Sequence, residues 1–565
     1  MENSHANGFF NSVISSFGPT ERILFYLFAA VLFFSGLSAA WQANNFFLVE
    51  VPGHGGKLTE GMVGSPRFVN PLLAISETDK SLSTLVYSGL LKYSGDTYVA
   101  DLAEYYSISQ DGLNYDIKIR DDAFFHDGKP VTATDIAFTI EKALDPLLKS
   151  PRRSNWEGVT VEVVDEKNLR FILRKPYYSF LENLTQGVLP KHVWEDATSE
   201  ELPFSQLNIE PVGSGPYEAS DIKYNSSGVP TVVTLSSFKK YTGEEPFIKT
   251  VEIRFFQSEE ALVKAYESGS IDSVAGLSPE VAIILKEKGF NIASYVMPRV
   301  FGVFFNQNQA GVFLNPEVRK ALDISIDKEK LVKEVLKGYG LPLKGPIPAK
   351  ESRWIVDSDN DFEEAKAVLE KAGWKANEDG ILEKKVKSVN QRLSFSISTS
   401  DAPELKATAD ILASSWEQLG ADVEIKVFES GDLNQNVIKP RKYDALLFGE
   451  SFGRDLDFYP FWHSSARNDP GLNIALYANI TTDKLLEEMR TATDIGTINK
   501  KRAEFESEII NDIPAIFTYA PDFIYAIHQR IKNVDLDNIS SGSSRFMGIE
   551  KWYIETEKVW SVFSN

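Results

Sequence analysis

There is no cysteine in the 565 residues of this chain. That excludes a disulfide framework, a thiolate metal centre and any cysteine-borne lipid anchor. Histidine is scarce: there are six, and none is paired at the spacing of a helical zinc motif. No G-x-x-x-x-G-K-[ST] phosphate loop occurs, so any ATP hydrolysis must come from another chain. Basic residues are outnumbered, with 59 Lys and Arg against 80 Asp and Glu and a net charge of -21. A chain of that sign, without a clustered basic face, repels the phosphates of nucleic acid. Disorder is excluded as well, because 43% hydrophobic and 12% aromatic content fills large cores, enough here for two or three domains.

Charge is absent altogether from residues 23–41, ILFYLFAAVLFFSGLSAAW. At about 1.5 Å per residue, a helix of that length just spans a hydrocarbon layer. Arg22 before it and Glu50 as the next charge after it favour a short cytoplasmic N-terminus (1–22), a transmembrane anchor (23–41) and everything beyond outside the cell membrane. A cleavable signal peptide competes with this reading, since Ser38 and Ala40 are small enough for a cleavage site. Residues 42–54 lack periodicity and suit a stalk.

From Lys57 onward, strand-like alternation and amphipathic helices interleave, which predicts an α/β chain. Tyr115, Ile117 and Ile119 alternate, as do Val159, Val161 and Val163, and Leu169, Phe171 and Leu173. Helices are expected at 259–267, 316–326, 362–372, 403–418 and 482–492. The most informative stretch is 120–144, RDDAFFHDGKPVTATDIAFTIEKAL. Gly128 and Pro130 reverse the chain, Thr132 with Asp135 forms a capping box, and Ile136, Ile140 and Leu144 follow on one helix face.

Seven segments occur in a fixed order: GGKLTEGMVGSPRFVNPLLA (55–74), LVYSGLLKY (85–93), FFHDGKPVTATDIAFT (124–139), LPKHVW (189–194), PVGSGPY (211–217), YESGSID (266–272) and VRKALDISIDKEKLV (318–332). The succession resembles the family 5 extracellular solute-binding proteins, the peptide and nickel receptors of ABC importers, from residue 55 to the C-terminus. The resemblance implies a two-lobed clamshell of the periplasmic-binding-protein type, in the large class with an extra subdomain. On this sequence, lobe I takes 55–80, 211–296 and 518–565, the extra subdomain 81–210, and lobe II 297–517. The crossing strands are expected at 294–306 and 513–523. The resemblance also implies a monomeric receptor without cofactor that takes a peptide or small solute and hands it to an ABC permease with its ATPase subunits. It implies no enzyme activity.

The candidate ligand-binding residues are Ser65 and Arg67 after the first strand, Phe301 and Asn306 near the hinge, and Glu450, Phe452, Arg454 and Trp462 in the second lobe. The resemblance makes the loop through Asp455-Leu456-Asp457 a cleft wall. Peptide-binding members usually hold the ligand's ammonium with an aspartate about three residues earlier, and Phe452 stands there instead. That departure favours a larger, less charged or N-blocked ligand.

Two further motifs compete. Gly449-Glu450-Ser451-Phe452-Gly453 is a literal G-x-S-x-G after the apolar run 445–448, which supports an alternative reading as a membrane-anchored serine hydrolase with Ser451 as nucleophile and His528 as base, His463 also being available. Pro460 interrupts the helix that a nucleophile elbow needs. Asp357, Asp359 and Asp361 imitate the start of a calcium loop, but Phe362 stands where the turn needs glycine and Val368 where it needs glutamate.

Overall fold

The computed structural model describes residues 16–95, 97–348, 361–386, 388–492, 494–537 and 539–563. Two compact units result, 1–56 with 553–565, and 57–552. In the smaller unit a 29-residue helix, Pro19–Phe47, is followed by strand Leu48–Gly53, which pairs antiparallel with Glu555–Trp560. The stretch read as a stalk therefore holds the end of the helix and a strand. The helix is about 44 Å long at 1.5 Å per residue and keeps none of its side chains buried, so it is long and apolar enough to cross a membrane.

The larger unit is built around a twelve-stranded mixed sheet. Its axis is the 13-residue strand Ala515–Ile527. The first half of that strand pairs antiparallel with Arg299–Phe305, and the second half with Ile292–Val296 and Ser273–Ala275. Residues 292–305 and 515–527 thus run past one another, with Pro521 at the changeover beside Gly340. Beyond them the sheet continues one way through Ala445–Ser451, Ser394–Ser400 and Asp422–Phe428, and the other way through Lys57–Val63, Thr250–Phe256, Pro230–Ser237 and Tyr217–Tyr224. Separate apolar cores flank the two halves. Leu262, Tyr266, Val274 and Ile524 belong to one half. Phe305, Phe313, Phe395 and Trp416 belong to a second core, and Phe304, Trp462, Phe505 and Phe517 to a third on the opposite face of the same strands. This is a two-lobed clamshell.

Residues 103–173 add a four-stranded antiparallel sheet with helix Ala133–Leu144 against it. The capping box forms: the Thr132 N–H donates to Asp135 Oδ2 at 2.9 Å, while Asp135 Oδ1 accepts from the Lys191 N–H at 2.8 Å, tying the LPKHVW segment to this helix. His126 accepts from the Gly213 N–H at Nδ1 and donates from Nε2 to the Gly215 carbonyl, so the His-Asp-Gly turn is sewn to PVGSGPY. Gly128 has φ +85° at the reversal. In the VRKALD segment, buried Arg319 donates to the carbonyls of Phe313, Asp512 and Ile513, closing the C-terminus of helix Ile495–Asp512 where the axial strand begins. The five expected helices lie at Glu259–Glu267, Pro316–Ile324, Phe362–Lys371, Pro403–Gln418 and Ile480–Thr491.

The axial strand is held by a buried ion pair. Glu60 is fully buried and receives Arg545 Nε at 2.7 Å, Tyr525 Oη at 2.7 Å and Ser273 Oγ at 2.9 Å. Arg545 also donates to Ser81 Oγ and to the Gly542 carbonyl. Removing one member strands the other charge away from water, so Glu60→Ala is expected to lose about 3–5 kcal/mol in urea unfolding. A loss below about 1 kcal/mol would mean that water reaches Arg545.

Candidate functional site

A cavity of about 640 Å³ opens beside the crossing strands and is walled by both lobes, a volume within the ordinary range for small-ligand sites. Met62, Val63, Ser81, Leu262, Leu277 and Phe523 line one side of it, and Met297, Phe301, Leu336, Leu405 and Tyr519 the other. Strand alternation sets this wall. Val300 points into the core behind the sheet, so its neighbours Arg299 and Phe301 face the cavity. The Phe301 ring stacks on Tyr519 with centroids 5.4 Å apart and planes 25° apart.

The charged groups of the wall differ in how far the protein satisfies them. Glu259 accepts from the Ser278 N–H and hydroxyl, and Glu77 accepts from the Ser543 N–H. Arg545 is consumed by Glu60. Arg299 has no hydrogen bond or ion pair through its guanidinium among the described residues, and burial holds its pKa below the ordinary arginine value despite Glu77 nearby. Asp522 Oδ1 is buried without a hydrogen-bond partner, and burial pushes that carboxyl up, with the Ser294 hydroxyl opposing. Arg299 and Asp522 escaped the sequence reading. Their only signal there was a charge beside a proline, Pro298 or Pro521, inside an otherwise apolar run.

Of the residues singled out from the sequence, Phe301 lines this cavity. Ser65 is half-buried and Arg67 exposed after the strand Lys57–Val63, with the Arg67 guanidinium over the Phe68 ring. Asn306 is buried at the far end of its strand, where its amide donates to the Arg441 carbonyl and its oxygen accepts from the backbone of Asn308 and Gln309. Trp462 and Phe452 are buried in the second lobe's core, Phe452 packing on Phe458 and Phe461 at 4.9 and 4.8 Å. With its ring turned inward, Phe452 gives no support to a less charged or N-blocked ligand. Glu450 is buried in the same core with neither oxygen hydrogen-bonded. Burial raises its pKa well above the ordinary value, and the Trp462 indole N–H only partly offsets this.

Arg454 and its neighbours do something else: they join the 452–457 loop to the segments 93–98 and 177–182 on either side of the four-stranded sheet. Tyr98 Oη donates to Asp455 Oδ1 at 2.9 Å, Tyr178 Oη donates to the Asp455 carbonyl, and Tyr177 Oη donates to Asp457 at 3.2 Å. The Arg454 N–H donates to Glu182 at 3.1 Å, and its guanidinium lies 3.6 Å over the Tyr93 ring. Asp457 is fixed in turn by Arg490 at 2.9 Å. Leu456 sits between the two aspartates at φ +52°, a conformation that costs an ordinary side chain on the order of 1–2 kcal/mol. The loop is therefore latched to these two segments.

The hydrolase geometry is missing. Ser451 is exposed at the end of an antiparallel strand, paired with Arg299. His528 lies past the other end of the axial strand, roughly 20 Å away at 3.3 Å per residue, with Nδ1 accepting from the Arg530 N–H. His463 is buried, stacked on Tyr459 and bonded to Ser465. Among the described residues no cluster could hold a metal ion. Asp361 caps helix Phe362–Lys371 through the Glu364 N–H, while Asp357 and Asp359 lie outside the described residues.

Two hinged lobes, crossing strands and a cavity between them define a solute-binding protein, not an enzyme. Residues 97–470 match the model of the bacterial extracellular solute-binding proteins, family 5, and the chain belongs to that family. It is accordingly an extracytoplasmic solute receptor of the ABC-importer class. It is 27% identical over 549 residues to the oligopeptide-binding protein AppA of Bacillus subtilis, covering 94% of this chain and 98% of that one. The structure of that AppA in complex with a nonapeptide superposes with a TM-score of 0.72 at 25% identity, over 89% of this chain and 100% of the other. NikZ from Campylobacter jejuni in complex with Ni(L-His) gives 0.71 at 25% identity, over 88% and 99%.

The buried position of Asp455 in this latch predicts that lobe closure depends on pH. In the latched arrangement the Asp455 carboxyl is pushed up to about 6, chiefly by burial and then by Glu182, with the Tyr98 hydroxyl, Arg454 and Arg502 opposing. A solvated aspartate titrates near 3.9. The closed form therefore binds the proton more tightly: closure is favoured as pH falls through 6 towards 4, and carries a cost of about 1–3 kcal/mol above pH 6. Because the chain has no cysteine of its own, one label can be placed on each lobe for distance measurements by energy transfer. The unliganded receptor should shift towards the closed distance between pH 7.5 and 5, and Asp455→Asn should be closed at both. An unchanged pH response in Asp455→Asn would remove Asp455 from the latch.

Proposed function

We propose that this receptor captures a peptide or peptide-like solute between its lobes and delivers it to an ABC permease, with the N-terminal helix retained as a single-pass membrane anchor. The observation that carries the reading is the cavity walled by both lobes, with unsatisfied polar groups on an otherwise apolar surface. A solute that touches both walls stabilises the closed form by its differential affinity for closed over open. AppA in complex with a nonapeptide is consistent with that ligand class, and the 29-residue apolar helix is consistent with anchoring where no cysteine can carry a lipid. The lobe limits expected from the sequence are retained as the working assignment, with hinge segments at 292–305 and 515–527.

Native mass spectrometry of the full chain released from membranes in detergent is expected to show a retained peptide-sized solute. Re-addition of that solute at 100 times its Kd should stabilise the receptor by about 2.7 kcal/mol. Ser451→Ala should leave the shift unchanged, and no ester should turn over. Retention of a nickel complex, or ester hydrolysis lost in Ser451→Ala, would overturn the reading.

A further inference from the structure

Glu77, Glu259 and Arg545 on the cavity wall are already answered by the protein; Arg299 and Asp522, of opposite sign and on neighbouring strands, are not. The Arg299 guanidinium offers five N–H donors and meets no acceptor among the described residues. Asp522 presents a buried oxygen without a donor. A polar group withdrawn from water without a partner is penalised, so a partner from outside is worth binding. The pair also has a defined separation. Val296 pairs with Asp522, and Arg299 follows Val296 by three residues, so the two backbones are at most about 15 Å apart. Between and around them the wall is apolar, with Met297, Phe301, Tyr519 and Phe523.

We propose that Arg299 and Asp522 form a two-point subsite for a zwitterionic ligand, the guanidinium taking a carboxylate and the aspartate an ammonium, with an apolar body between them on Phe301 and Tyr519. This deepens the reading as a peptide receptor and rests on it. Arg299 acts by a planar, bidentate match to a carboxylate that a lysine cannot reproduce. Glu404 also faces the cavity and adds negative charge, so a ligand with a second cationic group gains where a second anionic group loses. An extended tripeptide, at about 10 Å from end to end, fits between the two groups.

The test uses the full chain in detergent and four probes measured by calorimetry: Ala-Phe-Ala with both ends free, its C-terminal amide, its N-acetyl form, and the nickel–histidine complex. The wild type should prefer the free carboxylate over the amide, and the free amine over the acetyl form, by roughly 10- to 100-fold each. Arg299→Met should abolish the first preference and keep the second, and Asp522→Asn the reverse. Arg299→Lys, which keeps the charge and guards against a folding defect, should retain a reduced carboxylate preference. A wild type that binds the tripeptide while Arg299→Met keeps its carboxylate preference overturns the subsite alone. Binding of nickel–histidine with no response to any peptide probe overturns both the subsite and the peptide reading, and binding of no probe overturns the subsite.

Discussion

A carboxylate withdrawn from water is tolerated only when donors replace its hydration, and at Glu60 those donors come from distant stretches of chain. Arg545 arrives from the C-terminal segment, Tyr525 from the axial strand and Ser273 from a short neighbouring strand. Each unmet lone pair would cost far more than a surface ion pair is worth, so the four segments must assemble together or not at all. The consequence reaches the cavity. Tyr525 is three residues from Asp522, and the same Arg545 that neutralises Glu60 lines the wall. One half of the axial strand is therefore rigidly placed in the first lobe, and movement is left to the changeover around Pro521.

On the second lobe, the same strand pairs with Arg299–Phe305 through Tyr519 and Phe517. Closing the lobes brings the 452–457 loop onto Tyr98, Tyr177 and Tyr178, an interface independent of the cavity contents. Three tyrosine hydroxyls donating to one loop favour closure, whereas burying Asp455 beside Glu182 opposes it. The two act in opposite directions, and the closer they come to balance the more readily a ligand of modest affinity shifts the population. Had the latch been purely favourable, the unliganded receptor would stay shut; had it been absent, the ligand alone would have to hold two lobes together.

Much of this was legible because local chemistry and fold agree. Thr132 and Asp135 cap a helix wherever they occur at that spacing, and the apolar runs about Phe301 and Phe517 are the strands that cross between lobes. The cavity residues were less legible. Phe301 alternates into the cleft as the period-two pattern requires, but the same pattern cannot tell a cavity from a core, and Phe452 fell on the core side. Arg299 and Asp522 stay hidden for the converse reason: what marks them is the lack of a partner, and partners are a property of three dimensions. Strand Leu48–Gly53 was invisible because its mate, Glu555–Trp560, lies some five hundred residues away.

The G-x-S-x-G motif shows how a catalytic pattern arises from packing alone. A Cβ on Gly449 would stand 2.7 Å from the Phe301 ring, so the first glycine is what lets that ring lie across the neighbouring strand. A Cβ on Gly453 would stand 2.8 Å from the Glu182 carboxylate, which needs that space to accept from the Arg454 N–H. Between them, Glu450 faces inward among aromatic rings with neither oxygen bonded. Glu60 was buried together with an arginine; Glu450 was not, and burial drives it towards the neutral acid, its pKa rising well above the ordinary range. A neutral acid in an apolar core forgoes hydrogen bonds but not a full charge, so the second lobe tolerates it without a counter-ion. The two glycines are thus spent on bringing Phe301 to the cleft and the loop to its latch, and Ser451 between them is left on the surface with no base in reach among the described residues.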